Sequence, residues 1–346
     1  MALKTDISTL TADDLRNIDG QRIHLWLLSP ACQPYTVLNP SAKGAQDPRA
    51  QSFLHLVTRV LPQLAERNDH PRCLLVENVA GFESSSTRTT LVDTLRNLGY
   101  ETRELLLTPL QFGVPNSRLR YYLLAKLRTT SPPPQITDHS AVLRHIPGLG
   151  EDWVDPRSID QNNGPLGEAQ PAEGSKVHAL CRYLNTDGME ACTIPDRVLQ
   201  KWGRLFDIVL PSSTRSCCFT RGYTQLVESA GSILQMNETL DTTAIFDEFL
   251  SAQENGDPDA VRILNSLRLR YFHPDELLRL FGFRRPVPMM EGEKNNGSAG
   301  VEDAEDFRWP VDLSMKTKYR LIGNSINIVV VSELIRYLFS DWYPKA

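Results

Sequence analysis

The sequence predicts an open α/β sheet protein. Two short, near-continuous apolar runs, Ile23–Leu28 and Cys73–Val76, stop abruptly at polar or proline positions, as strands buried in a sheet do. Stretches with helical periodicity alternate with such runs, the pattern of strands joined by helices. Two reactive side chains, Cys32 and Glu77, fall just past the ends of the two runs. In open α/β sheets chemistry gathers at the carboxyl ends of strands.

Taken in order, residues 9–19 read as a helix start, with Thr11 as cap and Asp14 as its capping-box partner. Ile23–Leu28 is a buried strand of a parallel sheet, ended by Ser29 and Pro30. A loop rich in Pro, Gly and Ser runs to about Pro48. Phe53, Leu54, Val57, Val60 and Leu64 give residues 50–66 one apolar helical face, which Pro62 is expected to kink or end. Cys73–Val76 is a strand leading into Glu77 and Asn78. Ser84–Leu98 is a helix, opened by serines and stopped by Gly99. Glu101–Thr108 and Tyr121–Leu127 are further strands around a turn-rich loop at 113–116. Residues 1–128 then form the first part of the sheet domain, and 129–261 a linker (129–140) and an irregular module. Residues 262–346 return to the sheet domain. They hold a helical pattern over 262–283 (Leu267, Leu269, Leu277, Leu278, Phe281), a polar, flexible insertion at 286–306, and an apolar, helix-compatible stretch from Ile326 to Phe339.

The 346 residues are 41% hydrophobic and 23% charged, an ordinary soluble profile with ample length for a core. No apolar run approaches the roughly 20 residues of a membrane span, and the polar, acid-bearing N-terminus is neither a secretory signal nor a transit peptide. A cytoplasmic or nuclear location is expected. Six cysteines without a CxxC pair argue against a zinc site and a disulfide framework, so no metal is expected. The net charge of −5 argues against promiscuous nucleic-acid binding. A polynucleotide partner needs local basic patches, for which Arg118, Arg120 and Lys126, then Arg215 and Arg221, Arg268 and Arg270, and Lys316, Lys318 and Arg320 are candidates. Each reads equally well as a solvated face.

Pro30 and Pro34 bracket Cys32 and fix the backbone on either side. A preorganised loop presenting one thiol suits a nucleophile; a buried structural cysteine is the alternative. A carboxylate directly after an apolar strand, as at Glu77, is costly to desolvate without a partner. Burial raises its pKa and makes it a proton donor near neutrality; a salt-bridged or capping acid is the alternative. Arg118 and Arg120 enter a strand, one directed at the site and the other at a phosphate or carboxylate.

The segments Gln51-Ser-Phe-Leu-His55, Glu77-Asn-Val-Ala-Gly-Phe82, Ser85-Ser-Thr-Arg88, Gly113-Val-Pro-Asn-Ser-Arg-Leu-Arg-Tyr121, Cys218-Phe-Thr-Arg-Gly-Tyr223 and Tyr319-Arg-Leu-Ile-Gly-Asn-Ser325 together resemble the cytosine-C5 methyltransferase family. The match is nearest to its type-2 DNA-methyltransferase homologues, which methylate a cytosine in the anticodon loop of tRNA; the Cys-Phe-Thr stretch marks that branch. The resemblance covers residues 4–127 and about 200–346. It implies a Rossmann-like, S-adenosylmethionine-dependent methyltransferase sheet with a smaller irregular target-recognition module, tRNA as partner, and a monomer. Cys32 would add to C6 of the base, a covalent route that splits one hard step into two. Glu77 would hydrogen-bond N3, and Arg118 and Arg120 would orient the base and sugar-phosphate. Asn78 would hold the loop. Cys218, Phe219 and Thr220 belong, by resemblance, to the substrate-facing module.

Two departures stand out. Ala31 occupies a position where the family has a second proline. The family also begins with a strand and a glycine-rich turn for the methionine part of the donor, then an acidic residue for its ribose. Nothing here matches either, so the sheet is expected to lack its first βα units, leaving Ser29, Asn324 and Ser325 for S-adenosylmethionine. An active tRNA methyltransferase, a catalytically impaired RNA-binding paralogue and a DNA methyltransferase therefore remain open; the Cys-Phe-Thr stretch counts against DNA. Three hydrogen-bonding residues contribute about 0.5–1.5 kcal/mol per bond, less than the several kcal/mol lost on immobilising a ligand. The expected outcome of calorimetry on this chain is weak or undetectable S-adenosylmethionine binding. Micromolar affinity would show that other residues rebuild the donor site.

Overall fold

Strand β2 (Cys73–Val79) is flanked on both sides by strands, and its residues through Asn78 are buried. β1 (Leu25–Leu28) pairs with it in parallel, Leu25 opposite Cys73 and Leu28 opposite Val76. β4 (Arg120–Leu127) pairs antiparallel on its other side and joins β3 (Tyr100–Leu107), also antiparallel, giving the order β1-β2-β4-β3. The computed structural model describes residues 4–15, 23–35, 44–128, 141–149, 177–185, 192–228, 230–287 and 307–342. This sheet belongs to one of two compact units, made of Met1–Leu107, Leu119–Trp153 and Ser332–Ala346. The other consists of Thr108–Arg118 and Val154–Val331.

In the first unit, α1 (Pro48–His55) and α2 (Leu61–Glu66) are joined by a π-helical turn, Leu56–Val60. The interruption expected at Pro62 falls just before it: α1 ends at His55 and α2 restarts at Leu61. Pro62 occupies the first turn of α2, where its missing N–H costs least, and the widened turn before it absorbs the mismatch. Phe53, Val57, Leu61 and Leu64 of this helix, with Leu91 and Leu95 of α3 (Ser86–Asn97), pack on Leu74, Val76, Leu123 and Ala125 of the sheet. α3 opens as expected, with the Ser85 side chain accepting from the Arg88 N–H, and Gly99 follows it at φ +85°.

Some expectations are corrected here. β1 is only half buried and Leu27 is 55% exposed, because among the described residues it has one neighbouring strand. β2 continues through Glu77 and Asn78, since β4 pairs with them at Tyr122 and Tyr121. Thr11 and Asp14 do exchange hydrogen bonds, but up to Leu15 the chain forms only a 3-10 helix (Ile7–Thr9) and a turn. The linker at 129–140 and the insertion from 288 to 306 lie outside the described residues.

The second unit holds a small sheet in which β5 (Ile208–Val209) runs parallel to β6 (Ile233–Gln235) and β7 (Leu269–Arg270) antiparallel. Around it pack α4 (Asp196–Trp202), α5 (Thr242–Glu254), α6 (Pro274–Leu280) and α7 (Met315–Gly323). Phe219, Tyr223, Phe272, Phe281 and Tyr319 make an aromatic core. Residues 262–283 are not one helix. A 3-10 run, Ala260–Leu267, is broken at Arg268 by a left-handed backbone (φ +54°), β7 follows, and α6 restarts at Pro274. α8 (Ile328–Phe339) carries the chain from this unit into the first. By length and composition Met315–Phe339 is apolar enough to cross a membrane, an 18-residue window within it reaching a mean hydropathy of 1.3, so it is more apolar than the sequence reading allowed. α7 and α8 are separate helices, however, and Tyr319, Ile322, Val330, Leu334 and Leu338 are buried.

Arg270 and Glu276 form a two-pronged ion pair, both bonds 2.9 Å, with side chains 6% and 0% exposed. Glu276 also accepts from the N–H groups of Asn185 and His273, so it ties β7, α6 and the 180s segment together. Arg270→Met is expected to strand a buried carboxylate and to cost about 3–5 kcal/mol in denaturant unfolding. A loss below about 1 kcal/mol would refute that role.

Candidate active site

The carboxyl ends of β1 and β2 lie side by side because the strands are parallel and in register. That register brings Ser29, one residue past β1, to Glu77. The Ser29 hydroxyl donates to Glu77 Oε2 at 2.6 Å. Glu77 lies opposite Tyr122 of β4, and residues two apart on a strand share a face. Arg120, two residues before Tyr122, therefore shares the Glu77 side of the sheet, and its Nε lies 3.6 Å from Glu77 Oε1. Arg120 also donates to the Leu119 carbonyl at 2.7 Å. Glu77 is 8% exposed, so each carboxylate oxygen meets a protein partner rather than bulk water.

Asn78, on the opposite face of β2, donates to the Pro30 carbonyl at 3.4 Å and accepts from the Val79 N–H. This ties the cysteine loop to the strand two residues before Cys32. Beyond the cysteine, the Tyr35 N–H closes a turn onto the Cys32 carbonyl at 2.9 Å. Tyr35 is itself buried, edge-on to Phe82 and donating to Thr87. Cys32 is left exposed between two fastened ends. Arg49, at the start of α1, is held above its ordinary pKa first by its hydrogen bond to Asp47, with a smaller share from Cys32. Neither Arg49 nor Asp47 carries a sequence signal beyond an N-cap before a proline.

In the second unit, Arg118 is 4% exposed. Its NH1 donates to the Phe219 carbonyl (3.1 Å) and the Cys218 thiol (3.3 Å), and its NH2 to the Ser325 carbonyl (2.6 Å). Its guanidinium stacks over Phe281. Asn116 donates to the Cys217 carbonyl and to Ser216. The Asn-Ser-Arg stretch thus grips the Cys-Phe-Thr stretch and the Gly-Asn-Ser turn from inside. Phe219 is buried, while Cys218 and Thr220 are half-buried. Gly323 has a role that spacing alone does not reveal: a Cβ there would lie 2.2 Å from the Thr220 carbonyl carbon and the Arg221 nitrogen.

Of the residues assigned to the methyl donor, Ser29 gives its hydroxyl proton to Glu77, and Ser325 gives its own to the Leu321 carbonyl. Asn324 is exposed at the end of α7. Among the described residues, these three groups by themselves do not make a site for a nucleoside-bearing sulfonium.

The C-5 cytosine-specific DNA methylase family matches residues 3–340. The chain belongs to the cytosine-C5 methyltransferase family. Enzymes of this family use S-adenosylmethionine and a covalent cysteine adduct in general. The chain is similar to a tRNA (cytosine(38)-C(5))-methyltransferase of Schizosaccharomyces pombe, with 37% identity over 98% of this chain and 82% of that protein. It is 31% identical to the Homo sapiens protein of the same name, over 96% of this chain and 86% of the relative. The crystal structure of S. pombe Dnmt2 superposes with a TM-score of 0.66 at 35% identity, covering 98% of this chain and 83% of that one. The fold of this methyltransferase is accordingly the Rossmann-like α/β methyltransferase fold.

Gly323→Ala is expected to force the Cys-Phe-Thr-Arg backbone away from α7 and to destabilise the enzyme by about 1–3 kcal/mol or more. Thermal unfolding checks it; an unchanged midpoint would mean the two backbones part without cost.

Proposed function

We propose that this methyltransferase modifies C5 of a cytosine in the anticodon loop of tRNA, with Cys32 as nucleophile and Glu77 as its acid partner. The observation that carries the reading is the Glu77 carboxylate at the strand rim, held by Ser29 at 2.6 Å and flanked by Arg120 at 3.6 Å, on the strand whose Asn78 anchors the Cys32 loop. The tRNA substrate is supported by the names of relatives that match nearly the whole chain.

The chemistry follows from that arrangement. C6 of cytosine is a weak electrophile until N3 is protonated or hydrogen-bonded. Glu77 supplies that bond. The Cys32 thiolate forms the S–C6 bond, and the C5=C6 electron pair moves toward N3, which takes the proton. C5 is then electron-rich, and it would be the position to take the methyl group that S-adenosylmethionine supplies in this family, with the demethylated sulfide leaving. Loss of the C5 proton returns an electron pair to C5=C6 and expels the Cys32 thiolate, releasing the base. The cytosine must leave its stack to reach these groups. Arg118, wholly internal, acts on this reaction by fixing the Cys218 segment, whereas Arg120 stands beside the carboxylate itself.

Cys32→Ala is expected to abolish methylation and any covalent adduct with 5-fluorocytosine-containing tRNA, read on a denaturing gel. An adduct that survives would remove Cys32 from the mechanism. Glu77→Gln should slow single-turnover methylation by about 10²–10⁴-fold, the usual weight of a general acid–base group, with tRNA affinity little changed, because its bond strengthens as the adduct forms. Parallel loss of affinity and rate would make Glu77 a positioning residue. Preference for duplex DNA over tRNA in the same assay would overturn the substrate.

A further inference from the structure

Beside the Cys-Phe-Thr stretch, whose Cys218 forms part of the wall, the second unit holds an open cleft of about 370 Å³, lined also by Ser117, Leu205, Asp207, Arg215, Cys217 and Val227. Its size falls in the range of roughly 300–1,000 Å³ seen for small-ligand sites, and the proposed chemistry uses none of these groups. We infer that this cleft is a second nucleotide subsite, which takes an unstacked guanine of the RNA substrate. The inference rests on the reading that the substrate is RNA.

The polar groups select the base. Asp207 Oδ2 accepts from the Ser232 hydroxyl at 2.5 Å, and Ser232, fully buried, accepts in turn from the Cys217 N–H at 2.8 Å. The carboxylate is thus fixed from behind while remaining half-buried on the cleft wall. A carboxylate offers about four lone-pair sites and no proton. Among the four bases only guanine presents two adjacent donors, N1–H and the N2 amino group, on its Watson–Crick edge. Cytosine and adenine pair each donor with a neighbouring acceptor, and uracil flanks one donor with two acceptors. Burial, with a share from Asp207, pushes the Cys217 thiol up to about 12. It stays neutral and adds no second negative charge. Leu205, 48% exposed, and Val227 give apolar surface for the flat faces of the base. Arg215, exposed, is placed to meet a phosphate or the guanine O6.

The approach to the cleft favours a strand over a free nucleotide. Leu205 closes the 3-10 turn (Gly203–Leu205) that follows α4, and residues 196–205 expose Arg197, Lys201 and Arg204 against a single acid, Asp196. In a chain of net charge −5 this is a local excess of positive charge. Trp202 stands 39% exposed among these cations, with Lys201 Nζ 4.8 Å from the centre of its ring. Cations interleaved with an exposed aromatic are what single-stranded nucleic acid uses, one for phosphates and the other for stacking.

The test is a binding titration with the full 346-residue chain. The probes are a short uridine-tract RNA carrying one guanosine, the same RNA with inosine, which lacks the N2 amino group, and free guanosine monophosphate. The guanosine RNA is expected to bind about tenfold more tightly than the inosine RNA, the scale of one good base contact. Free guanosine monophosphate should bind at least about tenfold more weakly than the guanosine RNA. Asp207→Asn should bring the guanosine-to-inosine ratio close to one, and Arg215→Ala should weaken both RNAs while keeping the ratio. The base analogues read the same contact on the unmodified chain, so the result does not depend on how well a variant folds. Equal binding of the two RNAs by a chain that still binds tRNA would overturn the subsite alone. Binding of the free nucleotide as tight as that of the RNA would overturn the assignment to a strand. Failure of the chain to bind either RNA or tRNA would overturn the subsite and the RNA reading together.

Discussion

The buried guanidinium of Arg118 is the constraint on which the second unit turns. A charge that is 4% exposed is tolerated only where protein groups replace its water. Here the replacements come from the Cys218-Phe219 stretch and from Ser325, with Phe281 beneath the guanidinium plane. Two segments separated by about a hundred residues each must be present and correctly shaped before the charge is satisfied. Gly323 enforces the same closeness by sterics, since no side chain fits between α7 and the Thr220–Arg221 backbone.

The first unit is organised by strand periodicity. Parallel register places Ser29 beside Glu77, and the two-residue repeat of β4 places Arg120 near the same carboxylate. Asn78, one position on, turns to the other face and reaches the cysteine loop. Successive residues of β2 thus reach the Ser29 and Arg120 side and the cysteine loop in turn, and the pleat separates the two sets of contacts.

Much of this was legible in the sequence. The strands around Glu77, the serine-capped α3 and the strand at Arg120 follow from apolar runs and caps. The candidate site residues Cys32 and Glu77 stood out as reactive side chains at strand ends. What escaped were non-local facts. Arg268 adopting a left-handed backbone, and His273-Pro274 starting a new helix, split what periodicity presents as one helix. Pro62 reads as a breaker, yet a π turn accommodates it. The exposure of Leu27 depends on how many strands flank β1, which apolarity cannot report. The partners of Ser29, Arg118 and Gly323 lie 48 to 207 residues away for the hydrogen bonds, or across a backbone crossing, and no local pattern encodes them.

The hydroxyl of Ser29 has a property that its single bond to Glu77 does not exhaust. A hydroxyl is one donor and two acceptor lone pairs on a freely turning axis. While Glu77 is ionised, the serine proton points at Oε2. Once the carboxyl carries a proton of its own, the same oxygen, turned about its C–O bond, can receive it. The contact survives with its polarity reversed, so neither protonation state of the acid is left facing a mismatched neighbour. An amide or ammonium group at this place would favour one state only. A rotating hydroxyl suits the carboxyl in either protonation state without the loop at the end of β1 having to move.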